Sequence, residues 1–100
     1  MKRYNMSKDI AVKIINVRNP FNDDLSKEFI YDGIDARGNR YTFRTTQVIP
    51  CKNYICLSLF KYDILEKNNI VCKQYTIYPL SVKDDKLYLY DTPFKSDKIN

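Results

Sequence analysis

Short runs in which apolar and polar residues alternate recur along the chain, and this spacing constrains the fold more than any other feature. A period of two is typical of β-strands, because successive side chains of a strand point to opposite faces. The clearest runs cover residues 9–18, 28–48, 70–80 and 86–90, and they are rich in Val, Ile, Tyr and Thr, which favour strands. Turn-forming Asn, Asp, Gly and Pro lie between the runs. The pattern therefore predicts an all-β protein.

Residues 53–65 fit two periods. Ile55, Leu57 and Leu59 alternate as in a strand, whereas Ile55, Leu59 and Tyr62 also fit a helical spacing. We interpret the segment as a strand followed by one short helical turn near residues 63–67. Five or six short strands in a chain of 100 residues predict a small barrel. An oligonucleotide-binding (OB-like) barrel fits the number and order of strands, and an SH3-like barrel is the alternative.

A hairpin is predicted within residues 28–48. Gly38 and Asn39 can supply the positive φ angles of a two-residue turn. With that turn, the core face is expected to carry Ile30, Ile34, Ala36, Tyr41 and Phe43. The outer face is expected to carry Phe29, Tyr31, Thr42, Arg44, Thr46 and Val48. A shift of one residue would exchange the two faces.

The length of 100 residues is that of one domain. We expect a barrel domain over residues 9–92, with a flexible N-terminus (1–8) and a flexible C-terminal tail (93–100), both polar. No run of about 18 apolar residues is present to span a membrane. The N-terminus has no apolar stretch long enough for a signal peptide, so a cytoplasmic location is expected.

The residue inventory argues against common catalytic chemistry. The chain has no histidine, which is the commonest general base and metal ligand. Its three cysteines form no CxxC pair, and they are interpreted as small buried hydrophobes in a reducing compartment. Two glycines cannot build a phosphate-binding glycine loop. We expect no enzyme activity, no catalytic residue, no metal site and no cofactor.

Charge is distributed unevenly along the chain. The net charge is +5, and residues 36–62 contain no Asp or Glu. That stretch carries Arg37, Arg40, Arg44, Lys52 and Lys61. Segregation of this kind indicates a surface with a basic side.

Basic side chains mixed with aromatic ones are typical of proteins that bind single-stranded nucleic acid, because phosphates bind cations and unstacked bases bind flat rings. The chain has nine tyrosines and five phenylalanines. The candidate binding residues are Tyr31, Arg37, Arg40, Arg44, Lys52, Lys61, Lys73, Tyr75 and Tyr78. We therefore expect a small nucleic-acid-binding accessory protein, most simply one for single-stranded DNA. Heavy use of Lys, Asn, Ile and Tyr indicates an AT-rich genome, consistent with replication of a phage, virus or mobile element.

Two other interpretations remain open. A basic surface can be solvated without any partner, and tyrosines often fill the core of a small barrel. Tyr and Arg are also enriched in protein interfaces, and open strand edges can pair with a partner strand. The alternative function is therefore a protein-binding subunit or inhibitor that docks on a host or polymerase partner. The sequence favours no particular oligomeric state.

Overall fold

Alternating burial begins with the first strand, where Ile10, Val12 and Ile14 are fully buried and their neighbours are not. The computed structural model describes residues 7–19, 28–66 and 68–99, and every regular element within them is a strand. The strands are β1 (Lys8–Arg18), β2 (Phe29–Ile34), β3 (Arg40–Thr45), β4 (Tyr54–Leu65), β5 (Asn69–Pro79), β6 (Ser81–Lys83), β7 (Lys86–Leu89) and β8 (Thr92–Pro93). The predicted all-β class is confirmed, as is a strand rather than a helix over most of residues 53–65. The turn-forming residues 22–26, between the first two predicted strands, and most of the predicted flexible N-terminus (1–8) lie outside the described part.

The five longest strands close into a barrel in the order β1-β2-β3-β5-β4. β1 pairs with β4 through its first half and with β2 through its second half, both antiparallel. The ring is completed by a parallel pairing of β3 with β5 over Arg40↔Asn69, Tyr41↔Ile70 and Thr42↔Val71. Because β4 returns to lie beside β1 after the β1-β2-β3 meander, the connectivity is a Greek key, as in an OB-like barrel.

The predicted helical turn near residues 63–67 is wrong over residues 63–66. β4 and β5 form an antiparallel hairpin whose ladder runs from Ile55↔Pro79 to Leu65↔Asn69. Residues 63–65 pair with β5 in this ladder, and residue 66 lies in the turn that follows. Cross-strand pairing therefore overrides the local helical spacing.

The barrel interior is filled by apolar side chains from all five strands. Tyr31 and Phe43 stack at its centre, with ring centroids 5.5 Å apart and an interplanar angle of 15°. Such a pair contributes roughly 0.5–1.5 kcal/mol beyond its buried area. Gly33 allows β2 to approach β1, because a Cβ there would collide with Cγ1 of Val12. The fully buried large side chains are Tyr31, Tyr41, Phe43, Ile10, Ile14, Leu57, Leu59, Ile70 and Val12.

The predicted pairing of the β2–β3 hairpin is wrong. Ile34 pairs with Arg40 and Tyr31 with Phe43, so the connection is a five-residue loop, residues 35–39, rather than a two-residue turn. Within this loop, the Asp35 carboxylate accepts hydrogen bonds from the backbone N–H groups of Arg37 (2.8 Å) and Asn39 (2.9 Å). The resulting odd shift of register exchanges the faces of β2. Tyr31 therefore lies in the core.

Two segments without regular structure pack against the barrel core. In the β3–β4 connection, the Tyr31 hydroxyl donates to the Gln47 carbonyl (2.7 Å) and accepts from the Ile49 N–H (2.9 Å). These bonds fix the connection so that Ile49 is buried. Near the C-terminus, Ile99 packs against the core cluster.

Residues 96–98, predicted as part of a flexible tail over residues 93–100, lie along the first half of β1. Asp97 N–H donates to the Asp9 carbonyl (2.8 Å), and its carboxylate accepts from Asp9 N–H (2.8 Å). Ser96 Oγ accepts from Ala11 N–H (2.9 Å). The segment thus satisfies the edge of β1 where β2 does not reach.

β6, β7 and β8 form a separate three-stranded sheet. Asp84 and Asp85 make a tight turn between β6 and β7, both with positive φ (53° and 64°), as expected of turn-forming residues between two runs. No helix in the described part of the chain is long and apolar enough to cross a membrane.

Candidate nucleic-acid interface

The outer face of β3 carries two arginines. Arg40 and Arg44 are exposed and lie four residues apart on the same face of the strand. At about 3.3 Å per residue their Cα atoms are about 13 Å apart. Neither guanidinium forms an ion pair with another described residue. The Arg40 charge is therefore available to an anionic ligand, whereas Arg44 shares the cleft described below with the carboxylate of Glu28.

A buried carboxylate lies on the same face, between the two arginines. Asp32 is 6% exposed and pairs with Thr42, the residue between Arg40 and Arg44. Its carboxylate accepts hydrogen bonds from Arg18 (3.2 Å) and from the Thr42 hydroxyl (2.9 Å). A third bond comes from the Asn16 side-chain amide (3.2 Å). Because Arg18 balances its charge, Asp32 does not cancel the positive charge of β3.

An open cleft begins where β3 and β5 separate. Their parallel ladder ends at Thr42↔Val71, and beyond it the strands enclose a volume of about 550 Å³. We call this the β3–β5 cleft. Its basic side chains are Arg44 and Lys73, one from each wall. Lys73 Nζ lies 3.6 Å from the Asp63 carboxylate, but both side chains are more than half exposed, so the pair is weak. The other lining residues are Glu28, Thr45, Thr46, Gln47, Gln74, Tyr75, Thr76 and Ile77.

Tyr75 joins the two walls at the start of the cleft. Its hydroxyl donates to the Arg44 carbonyl (2.7 Å) and accepts from the Arg44 N–H (2.8 Å). Its ring packs edge-on against Phe43, with centroids 6.0 Å apart. Burial raises the pKa of Tyr75, so the hydroxyl keeps its proton at neutral pH. The position of the Arg44 backbone is thereby fixed.

The structure brings together some of the residues predicted from sequence. Arg40 and Arg44 share a face, Arg44, Lys73 and Tyr75 line the cleft, and Lys61 pairs with the cleft residue Gln74. Arg37 lies in the β2–β3 loop, near residues 96–98.

Four predicted residues, Arg37 among them, do not join this surface. Tyr31 is 1% exposed, so its predicted role as a stacking platform is wrong. Tyr78 is 38% exposed and pairs with Cys56 on β4. Lys52 is exposed in the loop before β4, where its N–H donates to the Ile14 carbonyl. Neither Tyr78 nor Lys52 lines the cleft.

Gln47 and Gln74 are cleft residues that sequence reasoning missed. They are uncharged, lie in different segments and match no motif, so no local signal identifies them. Their proximity depends on the parallel pairing of β3 with β5, which joins distant parts of the chain.

In the described part of the chain, the cysteines and carboxylates outside the cleft form no second site. Cys56 and Cys72 are buried, and burial raises the pKa of each thiol to about 12. Cys51 is exposed. Within the described residues, no group of three or more Cys, Asp or Glu side chains is arranged to hold a metal ion.

No family model, curated protein or solved structure matches the chain.

Proposed function

We propose that this protein binds single-stranded nucleic acid, with its phosphates on the outer face of β3 and in the β3–β5 cleft. The observation that carries the proposal is the meeting of Arg44 and Lys73 in one cleft, with Arg40 further along the same face of β3. Three cations along a continuous path suit a polyanion better than a small, singly charged ligand.

Electrostatics supplies most of the expected affinity. Each phosphate neutralised by Arg or Lys releases condensed counterions, so affinity falls as salt rises. For single strands the slope of log K against log salt is about −0.7 per contact, so three contacts predict a slope of about −2. A slope of this size corresponds to weak binding that low salt strengthens.

Base stacking contributes less than the sequence suggested. Tyr31 is buried, and the ring of Tyr75 is held against Phe43 by a hydroxyl that is already bonded. Tyr31 therefore offers no face to a base, and the half-buried ring of Tyr75, which lines the cleft, offers only part of one. Phosphate contacts therefore dominate the proposed complex.

Binding of a fluorescent single-stranded oligonucleotide, measured by anisotropy at low and moderate salt, tests the proposal. We expect saturable binding at micromolar protein in low salt, and weaker binding to a duplex of the same sequence. Absence of binding to the single strand in low salt would refute it. Tight binding that is insensitive to salt would also refute it.

The alternative, a subunit or inhibitor that docks on a protein partner, would leave the oligonucleotide unbound. A role as a cytoplasmic accessory protein in replication of a phage, virus or mobile element belongs to the same proposal. It is supported only by the basic composition and the AT-rich codon usage that the composition indicates.

A further inference from the structure

The only two glutamines of the chain, Gln47 and Gln74, both line the β3–β5 cleft. Both are exposed, and among the described residues neither side-chain amide is hydrogen bonded. Each amide offers one acceptor oxygen and two donor hydrogens. The cleft therefore presents two unused groups that can each donate and accept, beside the cations Arg44 and Lys73.

The backbone of Gln47 is held from both sides. Its N–H donates to Thr45 Oγ1 (3.2 Å), and its carbonyl accepts from the buried Tyr31 hydroxyl (2.7 Å). The side chain thus projects from a fixed point, which reduces the conformational entropy that a ligand contact would cost.

Gln74 lies between two residues with defined roles in the cleft. Lys73 precedes it, and Tyr75, whose hydroxyl is bonded to the Arg44 backbone, follows it. Gln74 also pairs with Lys61, at an irregularity of the β4–β5 ladder. Gln74 therefore lines the same cleft as Lys73, a cation able to hold a phosphate.

We propose that Gln47 and Gln74 bind the hydrogen-bonding edge of an unpaired base whose phosphates contact Arg44 and Lys73. This rests on the function proposed above. The edges of all bases present neighbouring donors and acceptors, which an amide can match in two bonds. The two unused amides, rather than the half-buried ring of Tyr75, are the groups of the cleft proposed to read the base, through hydrogen bonds. Because two amides that project from different segments cannot fit the donor and acceptor order of every base equally well, the protein discriminates between bases.

The test compares oligo-dA, oligo-dC, oligo-dT and an abasic strand of equal length at one low salt concentration. Wild-type protein is expected to bind its preferred homopolymer at least about fivefold more tightly than the abasic strand. This factor is the lower end of the discrimination that a bidentate amide–base contact provides. The variant Gln47→Ala/Gln74→Ala should bind all four strands alike, at the wild-type affinity for the abasic strand and with the wild-type salt slope. Asn68→Ala, which removes an exposed amide outside the cleft, should keep the wild-type preference.

Two results would overturn this inference while leaving the proposed function intact. One is wild-type binding to the abasic strand as tight as to every homopolymer. The other is an unchanged order of preference in the double glutamine variant. Failure of the wild-type protein to bind any of the four strands would instead refute the proposed function, and the inference with it.

Discussion

The hydroxyl of Tyr75 is hydrogen bonded in both directions to the backbone of Arg44, at 2.7 Å as donor and 2.8 Å as acceptor. A side chain of β5 thus takes the place of a ladder rung at the point where the parallel pairing with β3 has ended. The same contact joins the two walls of the cleft and fixes the backbone of Arg44, which carries one of its two cations.

Tyr75→Phe is expected to lower the free energy of unfolding by about 1–2 kcal/mol, because two hydrogen bonds of roughly 0.5–1.5 kcal/mol each are lost. The measurement is urea unfolding followed by circular dichroism. Tyr78→Phe is the matched control, since its hydroxyl has no partner among the described residues, and it should stay within about 0.5 kcal/mol of wild type. Equal effects of the two changes would show that the Tyr75 contact is not made in solution.

Gly33→Ala is expected to destabilise the barrel by about 1–3 kcal/mol, as overpacking of a filled interior does. The added methyl would meet Val12 Cγ1 and would lie 3.2 Å from the Lys13 carbonyl oxygen. The urea midpoint reports the loss. A variant as stable as wild type would mean that β2 does not approach β1 as closely as described.

The stability of the protein is expected to depend on pH through Asp35 in the β2–β3 loop. Burial tends to raise the pKa of Asp35, but hydrogen bonds from Asn39, from the Tyr41 hydroxyl (2.7 Å) and from two backbone N–H groups lower it below the usual value. The Asp35 carboxylate therefore binds a proton more readily in the unfolded chain than in the folded protein. Its contribution to the free energy of unfolding is complete above the unfolded pKa of about 3.9. That contribution is lost as the pH falls through the lower pKa of the folded protein.

Asp35→Asn should accordingly be less stable than wild type at pH 7, and the difference should shrink as pH falls below about 4. Thermal unfolding of both proteins across this range measures it. Asp91→Asn controls for the loss of an exposed carboxylate. A difference that is constant with pH would contradict the assigned role of Asp35.

Thiol labelling should distinguish the three cysteines. At neutral pH a soluble disulfide reagent is expected to modify Cys51 quickly, because it is exposed. Cys56 and Cys72 should react only after denaturation, since burial both blocks them and raises the pKa of each thiol to about 12. Rapid modification of more than one cysteine per chain in the native protein would contradict the described barrel.

The strands and the Asp84-Asp85 turn were predictable because both depend on residues close in sequence. The hairpin register was not, because Gly38 and Asn39 fit a two-residue turn while the loop is held by the side chain of Asp35. That error moved Tyr31 from the core to the surface in the prediction. The helical turn after β4 failed because pairing with β5, a longer-range effect, decides its conformation.

The candidate site was predictable only in its charges. Arg40 and Arg44 could be assigned to the surface because arginine is rarely buried without a partner. The cleft itself arises from the parallel pairing of β3 with β5 and from its early end, which no local pattern encodes. For that reason Gln47 and Gln74 escaped notice, and Tyr75 was identified as a free ring rather than as the link between two strands.

The salt dependence of oligonucleotide affinity tests the central claim most directly. Wild-type protein should show a slope of log K against log salt of about −2, and Arg40→Ala/Arg44→Ala a slope of about −0.7, because two of three phosphate contacts are gone. Lys83→Ala/Lys86→Ala removes the same charge from the exposed β6–β7 turn and should leave the slope unchanged. If both double variants reduce the slope equally, binding reflects net charge alone, and the assignment of the nucleic-acid interface to β3 and the β3–β5 cleft is wrong.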